Sequence, residues 1–420
     1  MKYFWPMKVF KFGGASVKDA PAVKNVADVL RRFEGEKRVV VISAMGKTTN
    51  ALELLHESWF KGLETSGLYK NVVDYHVQVS TEVIGHVSPE LTALFNELEA
   101  ELKKRPSEDF DKEYDTIVAY GELMSTALVT SYLRSIGMSV ALADARQVIY
   151  TNHQYREGKV DWGKSAQNAN LLKEMLSVND VIVFQGFIGT SDEGRTITLG
   201  REGSDFTASI VAFLLDAESV TIWKDVPGMM NADPRRFPDA VKLTKISYRE
   251  AIELAYFGAS VIHPKTIKPL QNKGIPLYVK SFIHPDEEGT VIQKDAEWDQ
   301  LVPGFIFKDN QVLISITPRD FSFVVEENLR EIFDALAEAS VRINLMENSA
   351  ISFSICVDNN ERRIEKLKEL LSAHYEMRYN ENVSLLTIRH GNQNTILELT
   401  RGREILMEQL SRNTARLVIR

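Results

Sequence analysis

The stretch Met7-Lys-Val-Phe-Lys-Phe-Gly-Gly-Ala-Ser16 contains the pattern on which the fold depends. Its first half is a short apolar run with aromatic and β-branched residues, which is typical of a buried strand. Two adjacent glycines then allow a tight turn. From Pro21 to Glu34, apolar residues recur at the three- and four-residue spacing of one helix face. The stretch therefore predicts a strand, a glycine turn and a helix, in that order.

Three further apolar runs resemble the first one, and helical patterns lie between them. These runs are Val39–Ile42, Val181–Phe184 and Val220–Trp223. Strands that alternate with helices and are apolar along their whole length are typical of a parallel sheet covered on both faces. We therefore predict an α/β fold with a largely parallel sheet.

The region of about 51–115 differs from the rest of the first 300 residues. It is rich in Glu and Lys, has Leu or Val at helical intervals and contains no strand-like run, so we predict a helical insertion. A boundary is predicted at 295–304, where a polar stretch and Pro303-Gly304 precede a new pattern. We expect three parts: 7–300, 301–380 and 381–420.

Residues 301–420 show a β-α-β-β-α order that is followed by a partial repeat. Leu345-Met-Glu-Asn348 is echoed by Leu406-Met-Glu-Gln409, and Leu313-Ile-Ser-Ile316 is echoed by Leu385-Leu-Thr-Ile388. The second copy lacks a final helix and strand before Arg420. We therefore expect its sheet to take a strand from elsewhere.

The composition excludes several classes of protein. Hydrophobic residues make up 44% and charged residues 26%, which argues against a disordered or fibrous chain. Lys and Arg number 50 against 58 Asp and Glu, a net charge of -8 without a basic cluster, so we expect no nucleic acid and no membrane as partner. The single cysteine, Cys356, rules out an internal disulfide, and the first residues lack a signal-peptide pattern. We therefore expect a cytoplasmic protein.

Lys11, Gly13 and Gly14 form the first candidate site. Backbone N–H groups of adjacent glycines can approach a phosphate closely, and the N-terminus of the following helix favours an anion. Lys11 would add a positive charge for a transferring phosphoryl group. A plain turn after a strand would look the same. Neither G-x-x-x-x-G-K-[ST] nor G-x-G-x-x-G occurs in the chain, which argues against P-loop and Rossmann sites.

A second glycine-rich turn, Thr198–Asp205, opens directly onto a helix pattern. Ser204 and Asp205 lie where a helix N-cap is expected, which would explain both residues without a ligand. Arg201 is suited to bind a carboxylate by two hydrogen bonds. An exposed turn arginine is the alternative interpretation.

Polar loops follow two more of the predicted strands. Ser43–Asn50 is rich in hydroxyl groups, and Asp225 precedes Pro227-Gly228 and Asp233-Pro-Arg235. Ligands of open α/β sheets bind beyond the carboxyl ends of the strands, so we expect one crevice there. Asp225 could also be a turn former. Glu122, near the start of an apolar helix, could likewise serve only the helix dipole.

The chain contains no motif of a hydrolase or a protein-based metal site. H-E-x-x-H, G-x-S-x-G and carboxylate clusters with metal spacing are all absent from the sequence. His263, which precedes Pro264, is the only histidine in a suggestive setting, and we expect a structural role for it.

Taken in order, these motifs closely resemble those of the aspartate kinases, in the amino-acid kinase family. The resemblance spans residues 7–300 and includes Gly121–Ser125, Gln185–Gly189 and Phe257–Pro264. The tail from 301 resembles a pair of ACT domains, which are effector-binding βαββαβ units. The resemblance implies the amino-acid kinase fold, a three-layer αβα sandwich with a mainly parallel sheet, followed by α+β ferredoxin-like ACT domains.

The resemblance further implies phosphorylation of the β-carboxylate of L-aspartate by ATP with Mg²⁺, which gives 4-phospho-L-aspartate for lysine, threonine and methionine biosynthesis. Lys11 would neutralise the transferring group, and Asp205 would orient this lysine. Arg201 would bind the α-carboxylate of aspartate, and Glu122 its ammonium. The implied aspartate-binding residues are Ser43, Thr49, Glu122, Arg201 and Ser204. The implied nucleotide-binding residues are Lys11, Gly13, Gly14, Lys224, Asp225, Met230, Arg235 and Ser260.

Several residues depart from the family pattern. They are Ala15 in place of Thr, Glu202 in place of Gly or Asn, Lys224 in place of Thr, Met230 in place of Tyr and Ser260 in place of a nucleotide-contacting Lys. We hypothesise that Lys224 or Lys265 supplies the charge that is missing at Ser260.

In the first ACT unit, Asn344, Asn348 and Ser349 match positions where relatives bind an amino-acid effector. An Asn stands where lysine-sensing members have Asp, which weakens the recognition of a lysine ammonium, so lysine and threonine are both candidate effectors. The resemblance also implies a homodimer or a larger oligomer. Two alternatives stay open: a non-catalytic amino-acid sensor on a kinase scaffold, and a kinase of the same family with another acceptor.

Overall fold

The structure, a computed structural model, describes residues 6–258, 262–295, 297, 299, 302–320 and 322–420. These residues form two compact units. The first unit runs to Met229 and includes Lys242–Ile252 and the described residues from 261 to 298. The second unit contains Met230–Val241, the described residues from 253 to 260 and those from 299 onward.

A mainly parallel sheet forms the first unit. Its strands and one separate hairpin are β1 (Met7–Phe12), β2 (Lys37–Ile42), β3 (Val140–Ala143), β4 (Val181–Gln185), β5 (Ile188–Thr190), β6 (Thr196–Thr198), β7 (Ser219–Lys224), β8 (Lys245–Ser247), β9 (Leu277–Ser281) and β10 (Thr290–Gln293). The strand order is β3-β4-β2-β1-β7-β9-β10-β8, while β5 pairs with β6. Neighbouring strands of the large sheet run parallel except β9 and β10.

Helices surround this sheet. Up to residue 273, the described helices are α1 (Ala20–Arg31), α2 (Thr48–Phe60), α3 (Ser66–Ile84), α4 (Pro89–Leu102), α5 (Phe110–Val118), α6 (Tyr120–Ser135), α7 (Trp162–Asn168), α8 (Asn170–Val178), α9 (Gly203–Leu215), α10 (Tyr248–Phe257) and α11 (Pro264–Lys273). α6 packs against β2, β3 and β4, and α9 packs against β1, β2 and β7. The central strands are buried along nearly their whole length, so the predicted two-sided α/β sheet is confirmed.

The first strand, turn and helix form as the sequence predicts. Asp19 caps α1 by accepting the N–H of Ala22 at 2.8 Å, and Pro21 occupies the first helical turn. The apolar face of α1 is buried through Val23, Val26, Ala27 and Leu30. The glycine turn thereby lies between a fixed strand and a fixed helix.

The second unit is an antiparallel sheet with helices. Its elements are β11 (Gly304–Pro318), α12 (Glu326–Glu338), β12 (Ile343–Asn348), β13 (Phe353–Asp358), α13 (Glu361–Leu371), β14 (Tyr375–Arg389), α14 (Gln393–Thr400), β15 (Ile405–Leu410) and β16 (Thr414–Ile419). The strand order is β12-β13-β11-β14-β16-β15. α12 and α13 pack on Ile314, Ile316 and Ile355, whereas α14 packs on Leu386 and Leu417.

The long strands β11 and β14 serve both repeats. Residues 313–318 of β11 pair with residues 375–380 of β14, and residues 304–308 pair with residues 385–389. A register shift around Gln311 separates the two halves. The first half of β11 is therefore the strand that the second repeat takes from elsewhere. Among the described residues, no helix has the length and apolar character that crossing a membrane requires.

Candidate active site

A cavity of about 790 Å³ opens in the first unit, at the carboxyl ends of β1, β2 and β7. Lys11 lies near the end of β1, Ser43 directly follows β2, and Lys224 is the last residue of β7. The cavity brings together these residues that the sequence singled out: Lys11, Gly14, Ser43, Thr49, Glu122, Arg201, Ser204, Asp205 and Lys224. These side chains come from segments far apart in the chain, so one crevice forms where the strand-end argument expects it.

Asp205 joins two lysines in this cavity. Its Oδ1 lies 2.6 Å from Lys11 Nζ, and its Oδ2 lies 3.3 Å from Lys224 Nζ. Asp205 stands in the first turn of α9 and is buried. Burial alone would raise the pKa of Asp205, but the ammonium groups of Lys11 and Lys224 outweigh it and hold the pKa below its usual range. The arrangement leaves a net positive charge where a phosphoryl group could be stabilised.

Glu122 is a buried carboxylate on another wall of the cavity. It lies in the first turn of α6, and its Oε1 accepts the backbone N–H of Ala44 at 3.2 Å. No described residue hydrogen-bonds to its Oε2. Burial raises the pKa of Glu122 to about 8, against the opposing effects of the Ala44 amide and of Lys11. A ligand ammonium that reached Oε2 would supply the missing donor.

Two backbone loops touch each other beside Lys11. Gly46 donates its N–H to the carbonyl oxygen of Gly14 at 3.1 Å. A Cβ added to Gly14 would lie 2.8 Å from the Ala44 carbonyl oxygen, so only glycine allows this approach. A side chain at Gly13 would crowd Lys11 Nζ at 3.3 Å. Packing therefore requires glycine at position 14, and the turn as a whole is suited to a phosphate.

The turn with Arg201 is held by its neighbours. Leu199 donates its N–H to the Phe187 carbonyl at 2.7 Å, and its own carbonyl accepts a hydrogen bond from Lys265 Nζ at 2.8 Å. A Cβ on Gly186 would lie 2.5 Å from Ser204 Oγ, so Gly186 lets the start of α9 approach β4. Arg201 itself is exposed and lines the cavity, where a carboxylate could reach it.

Asp115 is a residue that the sequence analysis missed. It is fully buried in α5 and accepts the N–H of Thr198 at 2.9 Å, the hydroxyl of Thr198 at 2.7 Å and the N–H of Arg156 at 3.0 Å. Burial raises the pKa of Asp115, and these donors oppose the rise. The sequence signal that could have indicated a buried role is that Asp115 lies two positions before the apolar pair Ile117 and Val118.

Arg156 and Tyr114 were also missed, and both line the cavity. The guanidinium of Arg156 lies 4.0 Å above the Tyr114 ring, and the Tyr114 hydroxyl donates to Glu53 at 2.6 Å. The backbone of Arg156 has a φ of 62°, in the left-handed region. No local sequence pattern indicates the contact between Arg156 and Tyr114, which are about 40 positions apart in the chain.

Other predicted nucleotide residues lie outside this cavity wall. Asp225 is exposed just after β7. Met230 and Arg235 belong to the second unit, and Arg235 is 91% exposed and lies 2.8 Å from Asp233. Ser260 lies outside the described residues. His263 caps α11 by accepting the N–H of Lys265 at 3.2 Å, a structural contact.

The predicted effector residues lie on or beside β12. The Asn344 side chain accepts from Lys308 Nζ at 2.8 Å and donates to Gln311 at 2.7 Å and to Asp358 at 3.0 Å. Asn348 and Ser349 are exposed. Asn344 is thus part of a polar network within the second unit, whereas the other two residues are open to a ligand.

Comparison with protein families gives a match over most of this first unit. Residues 6–281 match the family model described as the amino acid kinase family. The chain is 31% identical over 356 residues to lysine-sensitive aspartokinase 3 of Escherichia coli, covering 83% of this chain and 78% of that protein. It is 30% identical over 387 residues to bifunctional aspartokinase/homoserine dehydrogenase 2 of Arabidopsis thaliana, of whose length it spans 42%.

Solved structures show the same likeness over both units. The crystal structure of Escherichia coli aspartokinase III with aspartate and ADP has a TM-score of 0.81 and 28% sequence identity, covering 98% of this chain and 96% of that chain. The structure of the same protein with lysine and aspartate has a TM-score of 0.83, 28% identity and coverages of 98% and 95%. The expected fold, a mainly parallel αβα unit followed by an antiparallel α+β unit, is therefore confirmed.

Proposed function

The chain belongs to the amino acid kinase family and, within it, to the aspartokinases, and we propose that the 790 Å³ cavity is where it phosphorylates the β-carboxylate of L-aspartate with ATP. The observation that carries this assignment is the placement of Lys11, Asp205 and Lys224 in one cavity with Glu122 and Arg201. The two lysines can stabilise the negative charge of a phosphoryl group. Glu122 and Arg201 are complementary to the ammonium and the α-carboxylate of an amino acid, respectively.

Aspartate binding follows from the charges of the cavity wall. Arg201 binds the α-carboxylate, because its exposed guanidinium offers two parallel donors. Glu122 binds the α-ammonium through Oε2, which no described residue satisfies. Ser43, Thr49 and Ser204 offer hydroxyl groups to the side-chain carboxylate. The acceptor thereby points toward Lys11.

Phosphoryl transfer depends on positioning and charge. Lys11 stabilises the negative charge that gathers on the transferred group, and Asp205 holds Lys11 in place from a buried position. The amides of Gly13 and Gly14 donate to phosphate oxygens. Lys224 adds a second positive charge, which takes over the role of the lysine that the family pattern has at Ser260. The product is 4-phospho-L-aspartate.

We propose Mg²⁺ as the companion of ATP. No group of three or more His, Cys, Asp or Glu side chains in the described part of the chain is arranged for a metal ion. Such a lining suits a Mg²⁺ that takes its ligands from phosphate and water. Bound in this way, Mg²⁺ would neutralise phosphate charge. Asp225, Met230 and Arg235 would contact the nucleotide.

We infer that the second unit regulates the kinase. A relative named lysine-sensitive aspartokinase and a structure with bound lysine favour L-lysine as effector, with L-threonine as the alternative. We propose residues 7–300 as the catalytic part, 301–380 as the first ACT domain and 381–420 as a partial second one that β11 completes. Exposed Asn348 and Ser349, beside Asn344, would contact the effector in a homodimer or larger oligomer in the cytoplasm.

An acceptor panel tests this proposal. Purified protein with MgATP is offered L-aspartate, L-glutamate or uridylate, while ADP release and hydroxamate formation with hydroxylamine are measured. We expect both signals with L-aspartate alone. ADP release with another acceptor would favour a different kinase of the family, and no response to any acceptor would favour an amino-acid sensor.

A further inference from the structure

The segment Met230–Val241 follows β7 along the chain but is packed into the second unit. Asn231 joins the two ends of this segment: its N–H donates to the Val241 carbonyl at 3.0 Å, and its Oδ1 accepts the N–H of Val241 at 2.8 Å. The same residue reaches the start of β11: its Nδ2 donates to the Pro303 carbonyl at 2.8 Å, and its carbonyl accepts the N–H of Phe305 at 2.7 Å. One buried asparagine therefore joins the segment to the sheet.

Two side chains in the middle of the segment add a second attachment. The Phe237 ring lies 5.5 Å from that of Phe305 and 5.9 Å from that of Phe307. The Arg236 guanidinium lies 4.2 Å above the Phe307 ring and 2.5 Å from Asp309 Oδ2. These contacts combine apolar packing, a cation–π contact and an ion pair on alternate residues of β11, namely Phe305, Phe307 and Asp309.

The attachment extends to the strand next to β11. Asp309 Oδ1 accepts the hydroxyl of Ser384 in β14 at 2.7 Å, so Arg236 binds a carboxylate that is itself oriented. Phe305 and Phe307 also pack on the apolar cluster under α14. In the second repeat, α14 is the helix that packs on the sheet, and Phe237 adds a further apolar contact to the same sheet through Phe305 and Phe307.

We infer that Arg236 and Phe237 are positioning residues for the nucleotide, because they fix the loop that carries Met230 and Arg235 on β11. This inference rests on the proposed function, which assigns Met230 and Arg235 to ATP. Arg235 is exposed, whereas its neighbour Arg236 is held by Phe307 and Asp309. Loss of the Arg236 contact frees the loop to adopt other conformations, so nucleotide affinity falls.

A double-mutant cycle on the full-length protein tests the inference. Arg236→Ala and Asp309→Ala are each expected to weaken MgADP binding, measured by titration calorimetry, by about threefold to tenfold. The double variant should be no weaker than either single variant, since both substitutions break one contact. Arg236→Lys, which keeps the charge, should recover part of the affinity. Arg378→Ala is the matched control, because it breaks the Arg378–Glu376 pair (3.1 Å) elsewhere in the same unit.

Steady-state kinetics separate positioning from general damage. Arg236→Ala and Phe237→Ala should raise the KM for ATP while the KM for L-aspartate and kcat change less than about twofold. Equal increases in both KM values, unchanged MgADP binding, or fully additive effects in the cycle would overturn the inference. Calorimetry measures MgADP binding without turnover. If the wild-type protein binds MgADP but does not phosphorylate aspartate, the proposed function is refuted, and the binding data still test the Arg236–Asp309 contact.

Discussion

Lys11 and Asp205 form a buried ion pair with 2.6 Å between Nζ and Oδ1. Lys11 lies near the end of β1 and Asp205 in the first turn of α9, so the pair holds the Lys11 ammonium in the wall of the cavity. Asp205 also lies 3.3 Å from Lys224, so one carboxylate faces two ammonium groups and one positive charge is left over. The surplus charge is available to a phosphoryl group, and the predictions below start from it.

Lys11→Ala should reduce kcat by about a thousandfold or more, since it removes the main charge on the transferring group. The KM for L-aspartate should change little. Lys8→Ala is the matched control: Lys8 lies on the same strand and pairs with Glu36 at 2.8 Å, away from the cavity. Comparable losses in both variants would contradict the assigned role of Lys11.

Lys224→Ala and Lys265→Ala should have different effects. Lys224 lines the cavity beside Asp205, so its loss should raise the KM for ATP by about tenfold. Lys265 donates to the Leu199 carbonyl below the Arg201 turn, so its loss should raise the KM for L-aspartate instead. Steady-state kinetics with each substrate varied in turn distinguish the two lysines. An unchanged KM for ATP in the double variant would show that neither lysine replaces the missing charge.

Glu122 should make aspartate binding depend on pH. Burial raises the pKa of Glu122 to about 8, so below that pH the free site holds a proton that a bound ammonium must displace. The KM for L-aspartate should therefore fall by about tenfold per unit as the pH rises toward 8, and then level off. Glu122→Gln should give a higher KM with a flat profile. A sloping profile in the variant would assign the titration to another group.

The same shift has a consequence for stability. Between the usual glutamate pKa of about 4.3 and a pKa of 8, the folded protein holds a proton that the unfolded chain has lost. A rise in pH across this window therefore lowers the free energy of unfolding through Glu122. Urea unfolding of Glu122→Gln should show a smaller decrease over the same window, and parallel decreases in the two proteins would be evidence against the buried proton.

Asp115→Ala should destabilise the first unit by about 3 kcal/mol or more, because it leaves the buried donors of Thr198 and Arg156 without an acceptor. Asp111→Ala is the matched control on the same helix, since Asp111 makes an exposed contact to Arg156 at 3.2 Å. That contact is worth less than about 1 kcal/mol. Chemical unfolding measures the free energy of unfolding of both variants. Equal decreases would contradict a stabilising role for the buried hydrogen bonds of Asp115.

L-Lysine at millimolar concentration should inhibit the wild-type protein. Ser349→Ala should weaken this inhibition with little change in uninhibited kcat, because Ser349 is exposed beside β12 and lies outside the catalytic cavity. Inhibition by L-threonine in place of lysine would support the alternative effector. If neither amino acid changes the activity, the second unit has a structural role and does not regulate the kinase through these effectors.

The sequence predicts the parts of the site that are local in the chain. Lys11, Gly13 and Gly14 lie in one strand-turn motif and Asp205 follows a glycine turn, so short-range patterns mark them as candidates, whereas the resemblance to the aspartate kinases supplies their roles. Lys11, Ser43 and Lys224 lie together because β1, β2 and β7 run parallel and their carboxyl ends share one edge of the sheet.

Other parts depend on contacts between distant residues, which periodicity does not reveal. Asp115 meets Thr198 from 83 positions away. Asn231 contacts Pro303, 72 positions away, and Met230–Val241, which the motif order joins to the catalytic part, belongs to the second unit.

Identification of the hydroxamate formed by the wild-type protein with MgATP, L-aspartate and hydroxylamine tests the central claim most directly. If Arg201 and Glu122 hold the α-groups and the side-chain carboxylate faces Lys11, the product is the β-hydroxamate of aspartate, formed in equal amount to ADP. The α-hydroxamate, or ADP release without aspartyl hydroxamate, would contradict this account.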